Sequence, residues 1–148
     1  MGNLEEQLKN IAREQGAALV GIASRKRLAD APPSGDSGYL LPSARSIISF
    51  AIPFDHIKLR DFFSKKDWLS WNFDKKENTQ NLYIISDHIV EFLKEKGFEA
   101  CIVDINCTYR PEPGTSDITE LVDMYPDFSH RYGAVAAGVG RLAGVVMS

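Results

Sequence analysis

The residues that most restrict how this chain can fold lie near its C-terminal end, in Ser129-His130-Arg131-Tyr132-Gly133-Ala134-Val135-Ala136-Ala137-Gly138-Val139-Gly140-Arg141-Leu142-Ala143-Gly144. Small side chains on this scale let a backbone come within contact distance of a neighbouring element or a ligand. Just upstream, Leu121-Val122-Asp123-Met124-Tyr125-Pro126-Asp127-Phe128 puts an acid, Asp123, beside that surface. Gly138, Gly140 and Ala143 match the letters of a dinucleotide fingerprint. That fingerprint wants a helix after it and an acid about 20 residues on, and neither follows here. The reading that fits is a helix capped by Ser129, running through Arg131 to about Ala137 and stopped by Gly138 in a left-handed conformation.

The preceding residues alternate helical and strand-like patterns. Leu4, Leu8, Ile11 and Ala12 form one apolar face of a helix over 4–15, with Asn3 as cap, Glu6 as its capping-box partner and Gly16 as stop. Residues 17–23 and Ser46 to Phe54, the latter ended or bulged by Pro53, read as strands covered on both faces. Between them, Pro32, Pro33, Gly35, Gly38 and Pro42 mark a long loop. Leu82, Ile85, Ile89, Phe92 and Leu93 give a helix over 79–96, capped by Asn78 or Thr79 and stopped by Gly97. Phe98 to Ile105 is an apolar run with the pattern of a third strand, and 106–119 is a second loop. The expected fold class is α/β (α+β): one domain over 1–148, with three to four mostly buried strands flanked by helices.

Residues 55–78 break this rhythm. Phe54, Phe62, Phe63, Trp68, Trp71 and Phe73 are interleaved with Lys58, Arg60, Lys65, Lys66, Lys75 and Lys76. Aromatic and basic groups together can stack on bases and grip phosphates, which leaves tRNA as a weakly supported partner. Asp55, Asp61, Asp67, Asp74 and Glu77 nearly cancel the cations, so a packed flap or an interaction patch is the better reading.

Composition narrows the function classes. A net charge of −3 gives no general pull toward nucleic acid, and no apolar run approaches the ~18 residues of a spanning helix, so no membrane partner is expected. Met1-Gly2-Asn3-Leu4-Glu5-Glu6 is acidic where a secretory leader is basic, which makes the cytoplasm the expected compartment. Cys101 and Cys107 are too few for a four-iron cluster or a closed zinc site, and His56, His88 and His130 fall into no ligand spacing. No metal site is expected.

Asp123 and Pro126, then Ser129-His130-Arg131, then Ala134-x-x-Ala137-Gly138-x-Gly140-Arg141-Leu142 resemble the segment before the iron–sulfur region of epoxyqueuosine reductases and their reductive-dehalogenase-like relatives. The resemblance covers the chain in outline and residues 121–142 in detail. It implies a nitroreductase-like domain that binds cobalamin. Ser129, His130, Arg131, Ala134, Ala137, Gly138 and Gly140 would then lie at the cofactor, Asp123 would be the general acid, and Tyr125 would be a second proton donor. The family pattern Gly-Leu-Gly-Trp-x-Gly-Lys stands here as Gly138-Val139-Gly140-Arg141-Leu142-Ala143-Gly144, without Trp or Lys. No cysteine array for iron–sulfur clusters is present. The expectation is therefore an oxidoreductase-like part, inactive alone, that relies on a ferredoxin-like iron–sulfur domain or protein. A non-catalytic assembly module using 54–73, with homo-oligomers among its forms, and a nitroreductase-like flavin protein are the alternatives.

Overall fold

A computed structural model describes residues 3–105, 109–111 and 124–140. Helix α1 spans Leu4–Glu14, and the Asn3 carboxamide oxygen accepts from the Glu5 amide at 3.3 Å. The expected capping-box partner is engaged elsewhere: the Glu6 carboxylate lies 3.6 Å from Lys9 Nζ and 3.9 Å from Arg13. Gly16, at φ +102°, ends the helix by adopting a backbone that side-chain-bearing residues avoid.

Strands β1 (Leu19–Ser24) and β2 (Ser46–Ala51) pair antiparallel, with Gly21 opposite Ser49 and Ile22 opposite Ile48. Two short 3-10 turns, Arg25–Leu28 and Pro33–Gly35, occupy the connection. With no crossover helix between them, the second strand returns antiparallel to the first. A separate short pair joins β3 (Tyr109–Pro111) to β4 (Met124–Pro126). The architecture is a mixed α+β fold.

Alternation along β1 and β2 sorts their neighbours into two layers, because successive side chains point to opposite faces. Val20, Ile22, Ile48 and Phe50 pack against the core of Leu8, Ala12, Ala17, Ile85 and Ile89. That core comes from α1 and from α3 (Leu69–Glu95). The opposite face carries Gly21, Ile47 and Ser49, and there the C-terminal helix α4 (His130–Ala136) lies down. Arg27 secures it by donating to the Ala136 carbonyl at 2.9 Å, one of the last-turn acceptors a helix leaves unpaired. Gly138 then stops α4 at φ +74°, as its sequence indicates.

Three expectations need correction. Phe98 to Ile105 is not a strand: it makes no ladder with β2, so among the described residues the main sheet has two strands. The strands are also less buried than all-apolar runs suggest. Only Gly21 and Ala23 are buried in β1 and no residue is in β2, because one edge of β2 is bare. The helix expected over 79–96 begins ten residues earlier, at Leu69, which places Asn78 and Thr79 inside it. Thr79 Oγ1 donates back to the Lys75 carbonyl at 2.8 Å instead of capping. The capping carboxylate is Asp67, which accepts from the Leu69 and Ser70 amides at 3.0 and 3.1 Å.

Residues 55–78 form a helical hairpin. Helix α2 (His56–Phe63) starts at Asp55, whose carboxylate accepts from Ile57 and Lys58. Lys65, at φ +58°, turns the chain back into α3. Phe62 closes the inside of the hairpin against Trp68 and Trp71, with ring centroids at 4.8 and 4.3 Å.

Candidate ligand cavity along the open edge of the sheet

The bare edge of β2 faces an open-sided hollow. A cavity of roughly 930 Å³ runs along it, walled by β2, by Leu82, Ser86 and Ile89 of α3, and by residues 97–103 on the far side. Its volume lies near the top of the range of about 300–1,000 Å³ that ligand pockets occupy. The apolar run that failed to become a strand is thus the opposite wall of a slot.

Pins at both ends hold that wall off the sheet. At one end the Ser43 hydroxyl donates to the Glu99 carboxylate. At the other, Tyr83 Oη donates to Asp104 Oδ1 at 3.2 Å and accepts from the Ile105 amide at 3.4 Å. His130 Nε2 completes this end by donating to the Asp104 carbonyl at 2.9 Å, since a carbonyl can only accept. The first residue of α4 therefore fastens the cavity wall to the small-residue helix.

The lining is apolar over most of its extent, with Ser37, Ser43, Ser46 and Ser49 among its polar residues. Ser37 is 9% exposed and its buried Oγ has no hydrogen-bond partner. That oxygen is enclosed by protein and is not itself open to the cavity, so its unpaired state is a local desolvation cost of the loop. Cys101 also lines the cavity, and partial burial pushes its thiol pKa up.

The residues singled out from the sequence divide between two roles. His130 and Ala134 reach the cavity, together with Phe128 and Val139. Gly133 and Ala136 are buried in the α4–sheet interface: a methyl on Gly133 would stand 3.0 Å from the Phe128 ring and 3.4 Å from Ser49 Oγ. The Ala137 carbonyl packs directly over Gly21. Ser129 makes no side-chain cap; its amide donates to the Ser34 carbonyl at 2.7 Å. Arg131, Gly138 and Gly140 are exposed. Tyr125 pairs through its backbone with Arg110, and Asp123 lies outside the described residues.

Sequence reasoning missed Ser37, Tyr83, Asp104 and Phe128. Tyr83 is beside the apolar stripe of α3 and Ser37 lies in a Pro- and Gly-rich loop, so neither position announced itself. Among the described residues no group of three or more His, Cys, Asp or Glu side chains is placed to hold a metal ion, and no helix is long and apolar enough to cross a membrane. No family model, curated protein or solved structure matches the chain.

Proposed function

We propose that this chain is the cofactor-binding part of a cobalamin- and iron–sulfur-dependent reductase resembling the epoxyqueuosine reductases, and that it is not active alone. The observation that carries the proposal is the roomy, mostly apolar cavity along β2, with Ala134 and His130 of the small-residue segment on its wall. A large flat cofactor needs a roomy site, an apolar wall and hydrogen-bonding groups for its polar periphery. Phe128, Ala134 and Val139 support this with an apolar wall, and Ser46 and Ser86 line the same cavity with hydroxyls. A nitroreductase-like arrangement of three to four strands and a cytoplasmic setting are parts of the same proposal.

Cobalamin, when bound, supplies the metal centre for electron transfer to substrate. The protein's own part is to seat and orient the group, to exclude water along the α3 wall, and to present a proton donor. The resemblance assigns that donor to Asp123, with Tyr125 as second. Electrons would come from a ferredoxin-like iron–sulfur domain or protein.

Titration of the purified chain with cobalamin, followed by visible absorbance and filter retention, tests the reading. Binding is expected, and Ala134→Trp, which fills the cavity from α4, should abolish it while far-UV circular dichroism stays unchanged. An unaltered spectrum with no retention refutes the proposal. Flavin retained instead, seen as yellow protein after purification, would transfer the same cavity to a nitroreductase-like flavin protein.

A further inference from the structure

The cavity accounts for nothing at the other end of α3, where the largest exposed apolar side chains gather. Phe63 is 73% exposed, Phe73 70%, Trp68 65% and Leu69 64%, all at the turn of the α2–α3 hairpin or within one helical turn of it. Leu69, Phe73 and Lys76 are spaced i, i+4, i+7, so they share one face of α3. Phe62 and Trp71 stack beneath the tip, Trp68 leans on Phe62 from the exposed side, and Lys75 Nζ sits 5.1 Å over the Trp71 ring.

Over 55–77 six cations stand against five acids, and the pairing of those charges leaves the lysines of the tip the less engaged set. Asp55 and Asp67 cap the two helices, Asp61 lies 3.2 Å from Arg60, and Asp74 lies 3.2 Å from Lys58. Lys65, Lys66, Lys75 and Lys76 have no carboxylate within 4 Å among the described residues, and Glu77 is the one acid of 55–77 left without a cap or ion pair there. Exposed Phe, Trp and Leu side chains therefore project from the end of a helical hairpin that carries four lysines outside ion pairs against the charges of Asp55, Asp67 and Glu77. The lysines leave the tip a net positive charge of one, which only slightly disfavours a second copy of the same tip. They complement an anionic surface, and the rings match the headgroup boundary where amphipathic aromatics settle.

We propose that the α2–α3 tip is a peripheral docking surface for an anionic lipid bilayer, with Phe63, Trp68, Leu69 and Phe73 entering the headgroup region and Lys65, Lys66 and Lys76 facing the lipid phosphates. Peripheral contact needs no spanning helix, so this proposal departs from the expectation of no membrane partner without contradicting the sequence that prompted it. It stands independently of any cofactor.

Flotation of the chain with vesicles of phosphatidylcholine and phosphatidylglycerol tests it, with pure phosphatidylcholine as the neutral arm. The chain should float with anionic vesicles only, its Trp emission should shift blue, and added salt should release it. Lys65→Glu with Lys66→Glu should weaken partitioning about tenfold or more, and Trp68→Ser with Phe73→Ser should abolish it. Circular dichroism of both variants verifies the fold. Failure to float with anionic vesicles overturns the proposal. So would self-association that the Trp68→Ser and Phe73→Ser changes remove, since that would make the tip a contact between copies.

Discussion

Gly21 offers the sharpest test of how the small residues are used. An added methyl there would land on the Ala137 carbonyl oxygen and stand 2.9 Å from the carbonyl carbon and 3.1 Å from Val139 Cγ2. Two of those three atoms are backbone, so no rotamer change relieves the clash, and β1 and the end of α4 must part. Overpacking in a well-packed interior costs roughly 1–3 kcal/mol, and the backbone character puts this site at the upper end, about 2–3 kcal/mol. At about 4 °C per kcal/mol for a domain of this size, Gly21→Ala should lower Tm by about 8–12 °C. Gly97→Ala is the control. Its φ of +84° strains any side chain but nothing lies within 4 Å, so only the conformational cost of about 1 kcal/mol applies, near 4 °C. Differential scanning calorimetry measures both, and hydrogen exchange at residues 136–139 should quicken in Gly21→Ala alone. If Gly21→Ala melts no lower than Gly97→Ala, the close approach of strand to helix end is wrong.

Two further outcomes follow from the same geometry. The Ser70 hydroxyl and the Ser70 and Leu69 amides hold the Asp67 carboxyl below its ordinary value of 3.8, so its support of α3 is complete above that value and is lost as pH falls through the depressed one. The Tm difference between wild type and Asp67→Asn should therefore shrink on acidification below 3.8; a difference constant down to about pH 2 would remove the carboxylate from the account. In a Cys107→Ser background, Cys101 should react with a disulfide reagent more slowly than a free cysteine at neutral pH, because its thiolate fraction is reduced. Cobalamin should slow it again, and labelling at an unchanged rate under saturating cobalamin would separate Cys101 from the bound site.

Local signals in the sequence were the readable ones. Asn3 acts through its own side chain and the glycines 16, 97 and 138 through their own backbones, and each bounds its helix where expected. The start of α3 escaped because its first half has no buried stripe: Leu69 and Phe73 face outward, so the period that reveals a helix appears only once Leu82, Ile85 and Ile89 meet the core. Phe98 to Ile105 misled for the converse reason. An apolar run states that a segment seeks cover, but pairing is decided by what holds its ends, here Glu99 on Ser43 and Asp104 on Tyr83 and His130. The small-residue segment was legible as a close-approach surface. That the sheet takes Gly133 and Ala136, leaving Ala134 to the cavity, depended on the facing parity of β1 and β2, which no residue of α4 encodes.

The 27 residues of α3 make a rod of about 40 Å. Its near end bears Leu69 and Phe73, and its far half supplies Leu82, Tyr83 and Ser86 to the wall of the hollow. Without a proline along its length, such a rod has no built-in joint, so a push at one end arrives at the other as tilt. Whatever grasps the tip also takes hold of the lever on which Tyr83 carries the opposite bank of the slot.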